Sequence, residues 1–363
     1  MSATGPASAP ARTTEGCRFC WMCRQACPVG HVTARETFTP HAWALLIESV
    51  ARGQMSWNRE TADVMYACAD CGLCQAHCAT DQPLPDAINA SRVALASAGL
   101  APEAVYELDK QLRANASASR AVATHAGRAV LFVGDAGRTS PPTVAAASRL
   151  LAAAGRVVTP MADGRSSGLL ASTLGLRDTA ISLAKQVVAE IAESGATEVV
   201  VLSPADRWTF EHVYPTRLGV AWPEGVSVRE AVSVLAEACA AGTLRIRQTA
   251  GQPYAYHDPC HAPRLGHDRP EPRALLAAAL GATGARQLFF REHRAHPCGA
   301  VGGLEITNRA LAARLAQSRV DDARRAGAEW LVTDDPMCLQ QLTAQAMGQI
   351  AVKSLYAILA DAL

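Results

Sequence analysis

The sequence predicts an α+β multi-domain protein in which a helical N-terminal domain precedes a duplicated α/β domain with parallel sheets. Eight of the 12 cysteines lie between Cys17 and Cys78, in a stretch with helical signals and little that resembles a strand. Further along, short β-branched runs alternate with Ala/Leu-rich segments, a pattern typical of parallel βαβ units. This second region also repeats itself. We therefore expect a tail over 1–15, the helical domain over 16–112, a linker over 113–128, and two α/β modules over 129–226 and 227–363.

The composition argues against a nucleic-acid-binding protein and against a membrane-spanning one. A net charge of +1 without a dense Lys/Arg run predicts no nucleic-acid partner. No apolar run reaches the length of a membrane span, and residues 1–15 lack the apolar centre of a secretory signal. We expect a cytoplasmic protein without a transmembrane segment, which could lie at the inner face of the membrane through a partner. In that reducing compartment, clustered cysteines are more plausible as metal ligands than as disulfides.

The N-terminal domain carries three helix signals. Thr39 is a good N-cap with Pro40 at the first helical position, and apolar residues at helical spacing follow before Gly53. A second helix is predicted over Trp57–Tyr66. A third is predicted over Pro85–Ala98, closed by Gly99. Both cysteine runs therefore lie beside helices.

The α/β region alternates regularly between the two kinds of element. The predicted strands are Ala129–Val133, Arg156–Val158, Glu198–Leu202, Tyr254–His257, Gln287–Phe290 and Trp330–Thr333. The predicted helices are Thr143–Ala154, Thr179–Ser194, Ser227–Ala241, Pro272–Leu280 and Asn308–Ala326. Most of these helices are followed by glycine, which is the residue that favours a helix C-terminus.

The two modules contain matching segments. Ser166-Ser167-Gly168 stands 35 residues before Ser203, and Pro297-Cys298-Gly299 stands 35 residues before Asp334, each at the end of a strand. The first strands also end alike, in Val133-Gly134-Asp135 and in Tyr256-His257-Asp258-Pro259-Cys260. These matches predict two copies of one α/β module, of which only the second has cysteines at its strand ends.

The eight N-terminal cysteines form two runs of one spacing, Cys17-x2-Cys20-x2-Cys23-x3-Cys27-Pro28 and Cys68-x2-Cys71-x2-Cys74-x3-Cys78. Bacterial-type two-cluster ferredoxins use this run, in which the fourth cysteine binds the other [4Fe-4S] cluster. Cluster 1 is then assigned to Cys17, Cys20, Cys23 and Cys78, and cluster 2 to Cys68, Cys71, Cys74 and Cys27. Zinc is the main rival, but it usually takes two separated Cys-x2–4-Cys pairs.

The remaining four cysteines are scattered. Cys239 lies on the apolar face of a predicted helix and is interpreted as a small core residue. Cys260 and Cys338 each follow the carboxyl end of a predicted strand, where open α/β sheets build their sites. Cys298 precedes Gly299-x-x-Gly302-Gly303, whose backbone N–H groups could face an anionic cluster. These three thiolates could converge on a third site, or they could be isolated buried cysteines. Polar neighbours favour the site, namely His257, Asp258, His261, His296 and Asp335.

The segments His257-Asp258-Pro259-Cys260-His261, Pro297-Cys298-Gly299-Ala300-Val301-Gly302-Gly303 and Asp335-Pro336-Met337-Cys338 resemble the cysteine-rich CCG domain of heterodisulfide-reductase-type proteins. With two cluster motifs ahead of it, the chain resembles the iron-sulfur subunits of glycolate oxidase, anaerobic glycerol-3-phosphate dehydrogenase and lactate-utilisation systems. The resemblance covers nearly everything from Cys17 to the C-terminal helix. It implies a flavoprotein dehydrogenase as partner, with FAD on that partner and not on this chain.

The chain departs from the family at several cysteines. Pro297 stands where the family has the first cysteine of Cys-Cys-Gly, and Asp335 stands where it has the first cysteine of Cys-Pro-x-Cys. The first module has Ser166-Ser167-Gly168 and Ser203-Pro204-Ala205-Asp206 instead. A three-cysteine site could hold a [4Fe-4S] cluster whose fourth iron takes Asp335, a histidine or an outside ligand. It could also hold a [3Fe-4S] cluster or remain a metal-free scaffold.

No nucleophile–base pair, phosphate-binding glycine loop or dinucleotide motif stands in its expected context, so no catalytic residue is assigned. The leading hypothesis is an electron-transfer subunit between a flavin-dependent dehydrogenase and a quinone or other carrier. The dehydrogenase would oxidise a 2-hydroxy acid, glycerol-3-phosphate or a methylamine. A second hypothesis makes the third site catalytic, with an iron that binds substrate or a thiol. A third makes the chain a zinc-binding interaction module.

Overall fold

The computed structural model describes residues 16–117, 128–162, 164–266 and 268–363. The expected tail over 1–15 and residues 118–127 of the expected linker lie outside this range. The described chain forms two compact units. The first contains the chain up to Ala114 together with Leu170–Ala180 and Gly299–Leu315. The second contains Asn115–Leu169, Ile181–Cys298 and Ala316–Leu363. Two short segments of the α/β region therefore fold with the N-terminal helices.

The N-terminal region is helical, as predicted. Its helices are α1 (Met22–Ala26), α2 (Pro28–Thr33), α3 (Pro40–Ala51), α4 (Arg59–Tyr66), α5 (Leu73–Ala76), α6 (Leu84–Ser97) and α7 (Glu103–Ser117). Helix α4 begins two residues later than predicted, because the Asn58 side chain accepts a 2.9 Å hydrogen bond from the Thr61 backbone N–H and caps the helix. Helix α7 extends into the segment expected to be a linker.

The α/β region contains two four-stranded parallel sheets. The strands are β1 (Ala129–Phe132), β2 (Val158–Met161), β3 (Glu198–Val201), β4 (Ser227–Glu230), β5 (Tyr254–Tyr256), β6 (Ala285–Arg286), β7 (Trp330–Thr333) and β8 (Ala351–Ser354). The first sheet has the order β2-β1-β3-β4 and the second the order β6-β5-β7-β8. Because every pairing is parallel and the two orders are the same, the predicted duplication and fold class are confirmed.

Helices connect the strands of both sheets. They are α8 (Ala136–Thr139), α9 (Pro141–Ala153), α10 (Leu169–Thr173), α11 (Arg177–Ser194), α12 (Pro204–Trp208), α13 (Ala231–Ala240), α14 (Glu271–Leu280), α15 (Leu304–Thr307), α16 (Arg309–Arg325), α17 (Pro336–Ala346) and α18 (Leu355–Asp361). A π-helix covers Thr209–Leu218, and 3₁₀ turns cover Glu36–Phe38, Ala262–Leu265, Ala282–Gly284 and Glu292–Arg294. Among the described residues, none of the helices is both long and apolar enough to cross a bilayer.

Several strand predictions were wrong. Ser227–Glu230, predicted to open a helix, is the fourth strand of the first sheet, where Val228 pairs with Val199. The first module therefore extends past the expected boundary at 226. The predicted strand Arg156–Val158 instead runs from Val158 to Met161, and it includes Pro160 because β2 is an edge strand.

The second sheet shows two further differences. The pairing strand is Ala285–Arg286 rather than Gln287–Phe290, because Tyr254 and Ala255 of β5 pair with those two residues. Strand β8 was not predicted, since Ala351–Ser354 is short and runs directly into α18.

The second unit has a core that draws on both modules. Leu131 and Val200 of the first sheet belong to the same buried cluster as Val332 of the second. Helices α9 and α18 pack against each other, and Tyr356 Oη donates a 3.0 Å hydrogen bond to the Leu202 carbonyl. Cys239 packs against this cluster while partly buried, as expected for a core residue.

Candidate metal centres

Four cysteines from both N-terminal runs surround one cavity. Its lining includes Cys17, Cys20, Cys23 and Cys78, and also Cys74. Helices α1 and α5, which follow the starts of the two runs, pack against each other. The loop before α1 turns through left-handed backbone at Phe19 and Trp21, with φ of 50° and 68°. These turns bend the chain around the cavity. The four cysteines assigned to cluster 1 thus line one space.

The other four cysteines of the two runs surround a second cavity. Its lining includes Cys27, Cys68, Cys71 and Cys74. Cys27 caps α2 and accepts a 3.4 Å hydrogen bond from the Gly30 backbone N–H. The Cys68 sulfur accepts a 3.3 Å hydrogen bond from the Asp70 N–H. Such N–H···S contacts are the kind by which a protein stabilises thiolates bound to iron.

The pKa values of these thiols depend on how deeply each thiol is buried and on its hydrogen bonds. Burial is the main cause that raises the pKa of Cys23 to about 11 and that of Cys68 to about 12. For Cys78, burial also raises the pKa, but hydrogen bonds from Thr80 and Gln82 outweigh it and the net pKa is lowered. Because thiolates are the ligands of iron, binding at the buried positions would release protons.

A buried arginine that no sequence motif marks organises the loop around Cys68. The Arg92 guanidinium donates five hydrogen bonds, all to backbone carbonyls. Two go to Met65 at 3.2 and 3.0 Å and one to Cys68 at 2.6 Å. The others go to Thr173 at 3.1 Å and Gly302 at 3.0 Å. A single arginine within an ordinary helical pattern gives no sequence signal of this role.

Two glycines after Cys298 make close contacts inside the first unit. Gly302 has φ of +74°, and a Cβ placed on it would lie 2.6 Å from the Cys68 carbonyl oxygen. A Cβ on Gly303 would lie 2.3 Å from the Leu174 side chain. These glycines are therefore needed for close packing within the first unit, against the Cys68 loop. That the N–H groups of these glycines face a cluster stays a prediction.

The second module brings together two of its three predicted cysteine ligands with a histidine. The ligand atoms of His257, Cys298 and Cys338 lie within 4.8 Å of one another, and all three side chains are buried. Cys260 is buried but stands outside this group, with its sulfur 3.8 Å from His261 Nδ1. Hydrogen bonding to Cys298 and burial raise the pKa of Cys338, and the charges of Asp335 and Cys260 add to the shift.

His257 stands out among the polar neighbours. Its side chain is 1% exposed, and its Nε2 has no hydrogen-bond partner among the described residues. Burial, together with the charge of Arg319, lowers the pKa of His257 to about 3. The imidazole is therefore neutral at physiological pH, which is the form that binds metals. The sequence signal was present in the His257-Asp258-Pro259-Cys260 segment, but it did not single out this side chain.

Asp335, another expected candidate for a fourth ligand, is already engaged. Its Oδ1 accepts a 2.8 Å hydrogen bond from the Cys338 backbone N–H and caps α17, while its Oδ2 accepts a hydrogen bond from Ser203 Oγ. Both carboxylate oxygens therefore make structural hydrogen bonds, one within the second module and one to the first. The geometry favours His257 over Asp335 as a metal ligand.

The first module has oxygen-bearing side chains where the second has sulfur. Because Ala129 pairs with Glu198 and Tyr254 pairs with Trp330, the sheet registers align Asp135 with Cys260 and Asp206 with Cys338. Ser167 hydrogen-bonds to Asp206. Burial raises the pKa of Asp206 to about 7, and the charges of Asp335 and Asp135 contribute to the shift. These side chains form an internal polar network.

Two family matches agree with these sites. Residues 16–82 match the 4Fe-4S dicluster domain, and residues 254–343 match the cysteine-rich domain known as CCG. The first match contains both N-terminal cysteine runs. The second contains His257, Cys260, Cys298 and Cys338.

Curated relatives extend the similarity. The chain is 26% identical to a subunit of the dihydromethanophenazine:CoB–CoM heterodisulfide reductase of Methanosarcina acetivorans, over 78% of this chain and 73% of that protein. It is 28% identical to the corresponding subunit of Methanosarcina barkeri, over 49% of this chain and 42% of that protein. It is also 28% identical to a probable membrane-anchored ferredoxin of Chromohalobacter salexigens, over 50% of this chain but 27% of that protein. The chain thus spans about a quarter of the ferredoxin and less than half of the second reductase subunit.

The helical unit with its paired cysteine cavities and the duplicated parallel sheets agree with these matches. The chain contains a 4Fe-4S dicluster domain and a cysteine-rich CCG domain, and its sequence is similar to those of heterodisulfide reductase subunits.

Proposed function

We propose that this chain carries electrons from a flavin-dependent dehydrogenase to a quinone or another carrier. The dehydrogenase would bear the FAD and oxidise a 2-hydroxy acid, glycerol-3-phosphate or a methylamine. The observation that carries the proposal is the pair of cavities in one unit, each lined by the four cysteines expected for one cluster. Cys74 lines both cavities, so the two clusters would be neighbours.

The cysteines would have the following roles. Cluster 1 is assigned to Cys17, Cys20, Cys23 and Cys78, and cluster 2 to Cys68, Cys71, Cys74 and Cys27. When bound, the clusters supply one-electron transfer. The protein residues supply thiolates, exclude water and donate N–H groups to sulfur. The Arg92 guanidinium, which donates to the Cys68 carbonyl, adds a positive charge beside cluster 2.

The two cavities differ in their access to solvent. Cys20 is exposed, and Trp21 beside it is 50% exposed. In contrast, Cys27, Cys68 and Cys74 are all buried. Electrons from a protein partner would therefore enter or leave at cluster 1. Cluster 2 would be the internal member of the pair.

The relatives support an assembly with other proteins. Two of them are named as subunits of a heterodisulfide reductase, and one is named as a membrane-anchored ferredoxin. We infer that this chain works within a multi-subunit complex at the cytoplasmic face of a membrane, attached through its partner. No substrate chemistry of its own is proposed for the chain.

The relay is tested by anaerobic stopped-flow spectroscopy. The full chain is mixed with purified flavoprotein dehydrogenases of the three substrate classes, each with its substrate, and cluster bleaching is recorded. One class should reduce the chain. A Cys17→Ser/Cys23→Ser variant should accept electrons much more slowly, whereas Cys239→Ser should match the parent. Equal reduction of the parent and the cluster 1 variant would reject entry at cluster 1. A chain that no flavoprotein reduces would contradict the relay.

A further inference from the structure

We propose that an exposed apolar surface beside cluster 1 docks the flavoprotein partner, whose contact face is apolar at its centre and acidic at its rim. This surface, which we name the Trp21 surface, consists of Arg18, Trp21, Met22, Arg35 and Leu45. The inference rests on the proposed relay and deepens it, because it names the part of the chain that the partner would contact.

Large apolar side chains are exposed as a group in this part of the first unit. Trp21, Met22 and Leu45 are 50%, 53% and 51% exposed. Leu45 lies one turn after His41 on the same side of α3, and the centre of the His41 ring is 4.9 Å from that of Trp21. Other large apolar side chains that are exposed in the described chain are dispersed over it: Met55, Val157, Phe289 and Met347. A group of this kind marks an interaction surface, whereas single exposed side chains are ordinary.

The Trp21 ring is held in place although it is half exposed. Its backbone has φ of 68°, a left-handed conformation that is unfavourable for a side chain of this size. The Arg24 guanidinium lies 5.7 Å from the centre of the ring, and it is fixed in turn by a 2.7 Å ion pair with Glu36. A ring that is already ordered loses little conformational freedom when a partner binds. Trp21 therefore has the properties of an anchor residue, a role in which tryptophan is enriched.

The loop that carries this ring is also a wall of the cluster 1 cavity. Arg18, Trp21 and Met22 line the cavity together with the cysteines assigned to cluster 1. Cys20, which lies between Arg18 and Trp21 in the sequence, is itself exposed. A partner seated on the Trp21 surface would therefore lie directly over the exposed side of cluster 1.

The charges of the surface favour an acidic partner. Residues 16–38 include three arginines and one glutamate. The glutamate pairs with Arg24, while Arg18 and Arg35 form no ion pair with any residue that the structure describes. The nearest acidic side chain of the second cysteine run is Asp81, whose charge acts on a cysteine of cluster 1. Acidic side chains on the partner would therefore face Arg18 and Arg35, which would speed association and orient the complex.

The test is complex formation between the full chain, loaded with its clusters, and three purified FAD-linked dehydrogenases, which oxidise a 2-hydroxy acid, glycerol-3-phosphate and a methylamine. Biolayer interferometry without substrate measures binding while no electrons flow. Trp21→Ala should raise the Kd of the dehydrogenase that binds by about tenfold or more. Arg18→Gln should slow association and weaken its dependence on salt. Phe289→Ala and Arg325→Gln, which change exposed side chains of the second unit, should bind like the parent.

Iron analysis and electron paramagnetic resonance check that each variant keeps cluster 1, because Trp21 lines its cavity. If Trp21→Ala loses the cluster, Met22→Glu decides the matter. It places a negative charge opposite the partner's acidic face and should weaken binding. Equal affinities of the parent, Trp21→Ala and Met22→Glu would overturn the inference, and so would the absence of a complex with all three dehydrogenases.

Other occupants of the surface give different results with the same proteins. A dimer of the parent alone that Trp21→Ala dissociates in sedimentation experiments would assign the surface to a second copy. Binding to phosphatidylglycerol vesicles that Trp21→Ala abolishes, without binding to a dehydrogenase, would assign it to a membrane. Either result would overturn the inference. A complex that requires Trp21 but passes no electrons after substrate is added would reject the relay and keep the docking surface.

Discussion

The Ser203 hydroxyl donates a hydrogen bond to Oδ2 of Asp335, and these two residues hold the same position in the two modules. Each lies five residues after the start of the strand that pairs with the first strand of its module, β3 or β7. The two sheets are therefore joined at equivalent points by one direct contact. Together with the bond from the Cys338 N–H, this contact engages both carboxylate oxygens of Asp335 within the protein.

The Asp335→Asn variant tests this structural role. Asparagine caps helices about as well as aspartate, so the free energy of unfolding should fall by no more than about 1 kcal/mol. Any metal that Cys260, Cys298 and Cys338 bind should be retained, because both Asp335 oxygens already accept hydrogen bonds within the protein. Urea unfolding and metal analysis measure the two effects. Loss of the metal in Asp335→Asn, with retention in Ser203→Ala, would show that the carboxylate binds it.

Asp206 should make stability depend on pH. Burial raises its pKa from 3.8 to about 7. The pKa of Asp206 is higher in the folded than in the unfolded protein. The protonated side chain therefore contributes fully to the free energy of unfolding below pH 4, and this contribution is lost as the pH rises through 7. As the pH rises from 4 to 8, the free energy of unfolding of Asp206→Asn should therefore increase relative to that of the parent by on the order of 2 to 4 kcal/mol.

Urea unfolding at a series of pH values checks this prediction. The exposed Glu193→Gln, which removes the same charge from α11, serves as a control and should show no such trend. A parent and an Asp206→Asn variant with parallel pH profiles would show that Asp206 titrates normally.

The exchange of the fourth cysteine between clusters can be tested with paired variants. Cys27→Ser and Cys68→Ser should each lose one cluster, and the double variant should lose the same cluster and keep roughly four irons. Cys27→Ser combined with Cys17→Ser should lose nearly all iron, because the two cysteines are assigned to different clusters. Iron analysis and electron paramagnetic resonance measure both. The opposite pattern would mean that each run binds its own cluster.

Arg92→Met should destabilise the first unit. It removes the Arg92 donor from the buried carbonyl groups of Cys68, Thr173 and Gly302, at about 1 kcal/mol or more each, so we expect the free energy of unfolding to fall by at least about 3 kcal/mol. The Met65 carbonyl keeps a backbone N–H donor. Losing a positive charge beside the Cys68 loop should also lower the reduction potential of cluster 2. Arg52→Met, which removes a largely exposed guanidinium from its ion pair with Glu48, should cost less than about 1 kcal/mol. Redox titration with unchanged potentials would contradict the electrostatic part.

Gly302→Ala should lower the occupancy of cluster 2. The added Cβ would collide with the Cys68 carbonyl, and the positive φ adds about 1 kcal/mol of strain. Gly348→Ala is a matched control, because its φ is +80° and no atom lies within 4 Å of the added Cβ. It should show the strain without the collision. Equal iron content in the two variants would argue against close packing at Cys68.

Spacing and periodicity predicted much of the fold. The cysteine runs were visible because motif spacing survives in the sequence, and β1, β3 and β7 were visible as β-branched runs between helices. The sequence predicted a helix start at Ser227–Glu230, because these residues match a capping pattern. They form a strand instead, because they pair with β3, and that pairing is not visible in the local sequence. The short β6 and β8 depend on tertiary pairing in the same way.

The residues of the candidate sites also differ in whether the sequence could predict them. The cysteines could be named from their spacing, but Arg92 could not, since its partners are backbone carbonyls as far away in sequence as Gly302. From the sequence, His257 could be predicted only as a polar residue near the three scattered cysteines. Its distinguishing property, a buried nitrogen without a partner among the described residues, exists only after folding.

The oxygen-bearing network of the first module is chemically inert towards air. Thiolates and iron-sulfur clusters are oxidised by oxygen, whereas the Asp135, Ser167 and Asp206 side chains are not. A burst of oxidant would therefore attack one copy of the duplicated fold and spare the other. The first module, which has no cysteine in residues 129–226, would keep its part of the shared core assembled while the cysteines of the second module are oxidised.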